Sequence, residues 1–204
     1  MSKAKRWDGP PLDAWEPWRP DEVARVLAGT SAPWCVVGGW AIDLFLNRES
    51  RAHDDIEIGV PEPFFPIVLR GLDKFALHSV RDGEVGRLGI DQELPPGGHQ
   101  CWVLDQAANK WRLDVMREPG DNEIWRCRRH PGILSARSQI VNVSARGIPY
   151  LRPEAVLLFK AKYLRPKDES DFSNCLPLMD QSARTWLRAS LSLAHPGHVW
   201  LSHL

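Results

Sequence analysis

The sequence has no surplus of charge: lysine and arginine total 26, and so do aspartate and glutamate. General coating of nucleic acid draws on a surplus of lysine and arginine, so this balance argues against it without excluding a local basic patch. Long apolar runs are missing too. None approaches the roughly 20 residues that span a bilayer, which leaves no membrane partner. The first 20 residues carry basic side chains but no apolar secretory core, and the expectation is a soluble, cytoplasmic protein. Cysteine is sparse and scattered. Cys35, Cys101, Cys127 and Cys175 contain no Cys-x-x-Cys pair, against a clustered zinc site or a disulfide scaffold. Reduced, buried thiols are expected instead. There is no internal repeat and no low-complexity segment. Tryptophan is plentiful, ten in 204 residues, and reads as core anchors rather than a base-stacking platform.

Residues 1–19, with Trp7, Pro10, Pro11, Trp15 and Trp18, read as an extended arm pinned by its tryptophans. A helix starts at Pro20 with Asp21 and Glu22 in its first turn and closes at Gly29. Residues 34–37 form a short buried strand. Gly38 and Gly39 break it, and Ala41, Ile42, Leu44 and Phe45 give the apolar side of the next helix. Residues 54–60 alternate, with Ile56, Ile58 and Val60 on one face and Asp55 and Glu57 on the other. A helix over 64–72, a strand over 75–80 and a hairpin of 100–104 with 110–116 follow. Short strands are expected at 139–143 and 148–151. From Pro153 the pattern turns helical: one helix to 164, another after Asp168, and a third carrying Ala183, Trp186, Leu187, Leu191 and Ala194. The fold class is α/β (α+β), with an arm over 1–19, a main domain over 20–150 and a helical region over 151–204.

Four features carry chemistry. Paired glycines at a strand-to-helix turn let the backbone approach a ligand, and the free N–H groups of a helix start favour phosphate. A tight turn without any ligand is the plainer reading of Gly38 and Gly39. Asp55 and Glu57, two apart on a strand, point to one side, where their repulsion is costly. A divalent cation such as Mg2+ relieves it and takes one or two carboxylates plus nucleotide phosphates; a solvated edge strand is the alternative. Asp114, on the polar face of the strand at 110–116, offers a third carboxylate, at a distance the sequence leaves open. Lys160 falls within an apolar arc of Val156, Leu157, Phe159, Ala161, Tyr163 and Leu164. Buried there, it needs a partner or an anionic ligand, unless it snorkels along the helix.

Together these residues resemble the nucleotidyltransferase superfamily related to DNA polymerase beta: Gly-Gly, a gap, then Asp55-Ile56-Glu57-Ile58. The flanks, Gly38-Gly39-Trp40-Ala41-Ile42-Asp43 and Arg48-x-x-Arg51-x-His53-Asp54-Asp55-Ile56, resemble the aminoglycoside 2″-adenylyltransferase type. The likeness is dense over 36–58 and thin beyond, through Arg112-Leu113-Asp114-Val115 and the stretch 153–172. It implies a small mixed sheet with flanking helices and a helical C-terminal wall. The activity implied is Mg2+-dependent transfer of AMP from ATP, or of another nucleoside monophosphate, to a small-molecule hydroxyl. By position, Asp55, Glu57 and Asp114 are the metal and catalytic carboxylates, with Asp114 as base. Gly38, Gly39, Arg48, Arg51 and Lys160 are the nucleotide contacts. Glu57 stands where the nearest relatives have aspartate, which bears on metal preference and rate. His53 and Asp54 read as loop-ordering residues. An aminoglycoside acceptor is polycationic and calls for further carboxylates; candidates are Asp82, Glu84, Asp91, Glu93, Glu118, Asp121 and Glu123. Two alternatives stand beside this reading. One is a toxin-type nucleotidyltransferase acting on RNA or protein, to which Arg126, Arg128 and Arg129 would point. The other is a nucleotide-binding or antitoxin-like module without turnover.

Overall fold

Proline opens the first helix where its missing N–H costs nothing: α1 runs Pro20–Val26, with Asp21 and Glu22 in its first turn. The computed structural model describes Trp7 and residues 9–204; the rest of the expected arm, residues 1–6 and 8, lies outside the described residues. Strand β1 (Cys35–Val37) passes directly into α2 (Gly38–Leu46), which ends on Asn47 in the left-handed region. Next come β2 (Glu57–Pro61), a single 3-10 turn and α3 (Phe65–Arg70). The hairpin β3 (Ala76–Arg81) and β4 (Glu84–Leu88) turns on Asp82 and Gly83, both at positive φ, as an Asp-Gly hairpin turn requires. Strands β5 (Gln100–Asp105) and β6 (Lys110–Glu118) form the expected second hairpin.

A separate two-stranded ribbon follows, β7 (Ile124–Arg126) with β8 (Leu134–Ala136). After α4 (Arg137–Ile140) come β9 (Val141–Val143) and β10 (Pro149–Leu151), then α5 (Pro153–Lys160), α6 (Pro166–Cys175) and α7 (Gln181–Ala194). The main sheet has eight strands in the order β4-β3-β5-β6-β2-β1-β10-β9. Its β2–β6 and β1–β10 pairs are parallel and the others antiparallel. The mixed sheet with flanking helices is thus the one expected. Among the described residues no helix is long and apolar enough to cross a membrane.

Several expectations need correction. Strand β4 escaped notice because it is a sheet edge whose residues are mostly exposed, so no apolar alternation marks it. The stretch expected as one strand over 139–143 divides between α4 and β9. Helix α5 stops at Lys160, four residues early, and leaves Tyr163 and Leu164 exposed rather than on the apolar arc. Helix α6 begins at Pro166, before Asp168, whose carboxylate turns back to accept from the Arg165 N–H at 3.2 Å.

One buried cluster runs from Val23 to Trp200 and joins the sheet to α5, α6 and α7. The four cysteines are buried and free, as expected. A second cluster forms around the fully buried Trp111, where Trp7 stacks on the indole and Trp15 and Trp102 pack beside it. The arm is therefore pinned by tryptophan over its described part. Its backbone also pairs with β6: Trp111 N–H donates to Ala14 at 3.1 Å, Glu16 N–H to Trp111 at 3.0 Å and Trp18 N–H to Arg112 at 3.0 Å.

Candidate active site

Three strands bring the acids together. The register pairs Val37 with Glu57 and Glu57 with Asp114, so the two carboxylates are neighbours on one face of the sheet. This is the distance that the sequence left open, and β2 is an interior strand rather than a solvated edge. Gly38 completes the row. Its φ is 64°, and a Cβ there would stand 2.0 Å from Glu57 Oε2. The glycine is needed for close approach as well as for the turn. Gly38→Ala is expected to lose about 1–2 kcal/mol from left-handed strain and to push Glu57 out of its seat. Denaturant unfolding checks the first effect; an unshifted midpoint would show that the turn relaxes freely.

Asp55 departs from expectation. It precedes β2 instead of sharing the strand with Glu57, and it is exposed, although both line the same cavity. Burial pushes the Glu57 carboxyl up to about 7, and the Asp55 charge adds to the rise. Asp114 is raised well above the ordinary carboxylate range by its own burial and then by Glu57. Its Oδ2 accepts from Gln100 Nε2 at 2.8 Å, while Oδ1 is buried without a donor. Among the described residues no three His, Cys, Asp or Glu side chains already form a metal-ligand set. A buried, donorless carboxylate oxygen beside a second carboxylate nevertheless suits a cation.

Behind Gly39 runs a chain of polar groups. His53 Nε2 meets Asp43 Oδ2 at 2.6 Å, and Arg51 Nη1 lies 3.1 Å from His53 Nδ1. Since a guanidinium only donates, His53 Nδ1 accepts and Nε2 carries the proton toward Asp43. Asp43 also accepts from the Ser50 N–H at 3.1 Å and from the Ser50 hydroxyl. Trp40 stacks on the His53 ring at 4.4 Å. His53 thus orders the loop, and a Cβ on Gly39 would collide with it and with Arg51. Arg51 Nη2 reaches Asp171 at 3.5 Å. Lys160 is buried, as expected, but its Nζ is held by Asp171 at 2.8 Å and Asp168 at 2.9 Å. Two carboxylates meet its charge without any nucleotide. Arg48 points to Asn174 Oδ1 at 3.4 Å and does not line the cavity, which corrects its expected place among the nucleotide contacts.

Gly38, Asp55 and Glu57 line a cavity of about 390 Å³, within the range of small-molecule sites, whereas Asp114 is buried behind Glu57 and does not line it. Arg51, Lys160, Arg165 and Lys167 line one part of it. Arg117, Arg126, Arg128 and Arg129, from the end of β6 and from β7 and the loop after it, line another. Val156, Phe159 and Tyr163 add apolar surface. The expected carboxylates for a polycationic acceptor are not there. Only Glu118 lines the cavity, and its oxygens are taken by Trp125 Nε1 at 3.3 Å and Arg137 at 3.4 Å. Asp82 and Glu84 flank the β3–β4 turn, and Asp121 accepts two N–H groups of its own loop at 2.8 Å. Asp91, Glu93 and Glu123 likewise lie outside the lining.

Residues 21–93 match the family model for aminoglycoside-2″-adenylyltransferase. That span holds Gly38, Gly39, Asp55 and Glu57, and it contains the dense part of the expected resemblance. Solved structures agree in fold. The crystal structure of ANT(2″)-Ia in complex with adenylyl-2″-tobramycin is 16% identical, with a TM-score of 0.56 over 84% of this chain and 94% of that one. The solution structure of ANT(2″)-Ia is 18% identical, with a TM-score of 0.54 over 84% and 89%. The lincomycin-bound lincosamide adenylyltransferase LnuA is 18% identical, with a TM-score of 0.55 over 78% and 95%. No curated protein sequence matches the chain. The matched family and these neighbours are antibiotic nucleotidyltransferases, and the likeness to the solved structures is one of fold.

Beyond the matched adenylyltransferase span, Asp114, the α5–α6 cations and the β7–β8 arginines come from later sequence. Sequence reasoning gave no role to Asp43, Asp171 or Arg165. Asp43 had a signal, being the lone acid inside an apolar helix. Asp171 had one in the resemblance of 153–172 to the helical part of these nucleotidyltransferases, while Arg165 had none, since it lies at a helix boundary expected elsewhere.

Proposed function

We propose that the chain transfers AMP from ATP to the hydroxyl of a small molecule, with Mg2+ held by Asp55 and Glu57 beside Asp114. The observation that carries this reading is Glu57 beside Gly38 in the wall of a cation-lined cavity, with Asp114 paired to Glu57 on the neighbouring strand and buried behind it. The N–H groups at the start of α2 favour the anionic phosphates, and Arg165 and Lys167 reach the same space. Bound magnesium would neutralise the triphosphate and stabilise charge on the attacking and leaving oxygens. Asp114, with its raised affinity for a proton, suits a general base. It takes the acceptor's hydroxyl proton as that oxygen bonds to the α-phosphorus; the bond from the α-phosphorus to the bridging oxygen breaks and pyrophosphate leaves. A reaction consuming ATP belongs in the cytoplasm.

Incubation with α-labelled ATP and Mg2+ against aminoglycosides, lincosamides and transfer RNA tests the reading. Label on a small molecule with release of pyrophosphate is the expected result. Label on RNA alone would favour a toxin-type activity, and binding of ATP without turnover would favour a non-catalytic module. Asp114→Asn is expected to lower the rate at saturating ATP by roughly 10²–10⁴-fold, the usual worth of a positioned base, with ATP affinity little changed. Lost affinity at an unchanged saturated rate would make Asp114 a metal-site residue instead.

A further inference from the structure

The charge of the cavity bears on which acceptor it takes. Arg128 is exposed on the loop that follows β7 and lines the cavity. Arg51, Lys160 and Arg165, in contrast, converge on Asp168 and Asp171 of α6, while β7 is tied to the end of β6 through Trp125 Nε1 on Glu118. Arg129 is occupied: its Nη1 donates to the Phe159 carbonyl, and its guanidinium lies over the Phe159 ring at 5.0 Å. Among the described residues no carboxylate lies within ion-pair distance of Arg126, Arg128 or Arg129, whereas Arg117 has Glu62 and Arg137 has Glu118. The surrounding protein depresses Arg128, and Arg129 is depressed by its own surroundings and then by the Arg128 charge. Among the described residues these three arginines thus stand in the cavity wall without an ion-pair partner.

We propose that Arg128, with Arg126 beside it, binds an anionic group of the acceptor, which is a hydroxyl-bearing small molecule carrying a phosphate or carboxylate. This rests on the reading of Asp114 as the base, because Arg126 and Arg128 come from the segment tied to the end of β6, the strand that carries Asp114, whereas Arg51, Lys160 and Arg165 gather at the acids of α6. The anionic group takes no part in the transfer: only the hydroxyl loses its proton and gains AMP. Polycations are disfavoured by the same charges, since like charges brought together repel. RNA fits less well than a small anion. Polymer binding engages many phosphates along a basic track, whereas these cations are gathered in one cavity of a chain with no net charge.

The test is calorimetric titration of the full chain with glucose, glucosamine, glucose 6-phosphate and kanamycin, with Mg2+ and a non-hydrolysable ATP analogue saturating. Glucose 6-phosphate is expected to bind at least about tenfold more tightly than glucose, with glucosamine and kanamycin weaker than both. Arg128→Gln should remove the advantage of the phosphate, and Arg128→Glu should reverse the order in favour of kanamycin. Affinity for the ATP analogue should change less than affinity for glucose 6-phosphate in both variants. Kanamycin binding most tightly to the unmodified chain would overturn the proposal. So would a phosphate advantage that survives Arg128→Gln, tighter binding of a CCA-ended RNA, or no binding of any of the four sugars. Failure of the ATP analogue to bind would instead overturn the adenylyl-transfer reading on which the proposal rests.

Discussion

Asp55→Asn and Glu57→Gln are each expected to reduce AMP transfer by roughly 10²–10³-fold, the scale of losing one preorganised electrostatic contact at the reacting centre. Their effects on stability should differ. Asp55 is exposed, so its variant should melt like the parent. Glu57 is held up to about 7 by burial and by Asp55, against an unfolded value near 4.5. A carboxyl raised in the folded state contributes stability that is full below the unfolded value and is lost as pH rises through the folded one. Above about pH 7 the charged Glu57 therefore opposes folding, and Glu57→Gln should raise the melting temperature by about 2–4 °C per kcal/mol relieved. Mg2+ should stabilise the parent at about pH 8 more than at about pH 5, where Glu57 is protonated. Thermal melts at both pH values decide it. A Glu57→Gln protein that melts lower than the parent would refute the repulsion, and full turnover in either variant would refute the metal role.

Lys160→Met should unfold the protein far more readily, by about 3–5 kcal/mol, because it strands buried carboxylates without their cation. Asp168 and Asp171 are both fully or almost fully buried. Burial pushes Asp168 up, but hydrogen bonds from Arg165 and Lys160 hold it below its ordinary value overall. Removing Lys160 leaves Arg165 on Asp168 and only the longer Arg51 contact on Asp171. Adding Asp171→Asn to Lys160→Met should recover part of the loss. Denaturant midpoints with ATP titrations separate the alternatives. Unchanged stability with weakened ATP affinity would return Lys160 to the nucleotide contacts.

Periodicity and spacing revealed the parts of this protein that depend on local physics. The strand-glycine-helix turn, the 100–118 hairpin and the amphipathic α7 each announce themselves within a dozen residues. The meeting of Glu57 and Asp114 does not, since it is a register between strands separated by a helix and three further strands. Lys160 was rightly placed in a buried position, yet its partners lie on α6, whose start was misjudged because Pro166 was passed over as a first-turn residue. The expected acidic acceptor wall failed for another reason. Nearness along the chain to Asp114 was taken as nearness in space, and the hairpin turns carry those acids elsewhere.

The arm's pairing with β6 also sets an order of events in synthesis. Strand β2 begins opposite Asp114, so residues 110–112 lack a β2 neighbour, and it is residues 14–18 that bond there. A ribosome releases those arm residues long before Trp111 exists to receive them. The emerging chain must keep Trp15 unburied until Trp102 and Trp111 have been made, and closing so long a loop slows folding. Deleting the first 19 residues would reopen the flank of β6 and bare Trp111, leaving an unpaired strand segment that invites self-association.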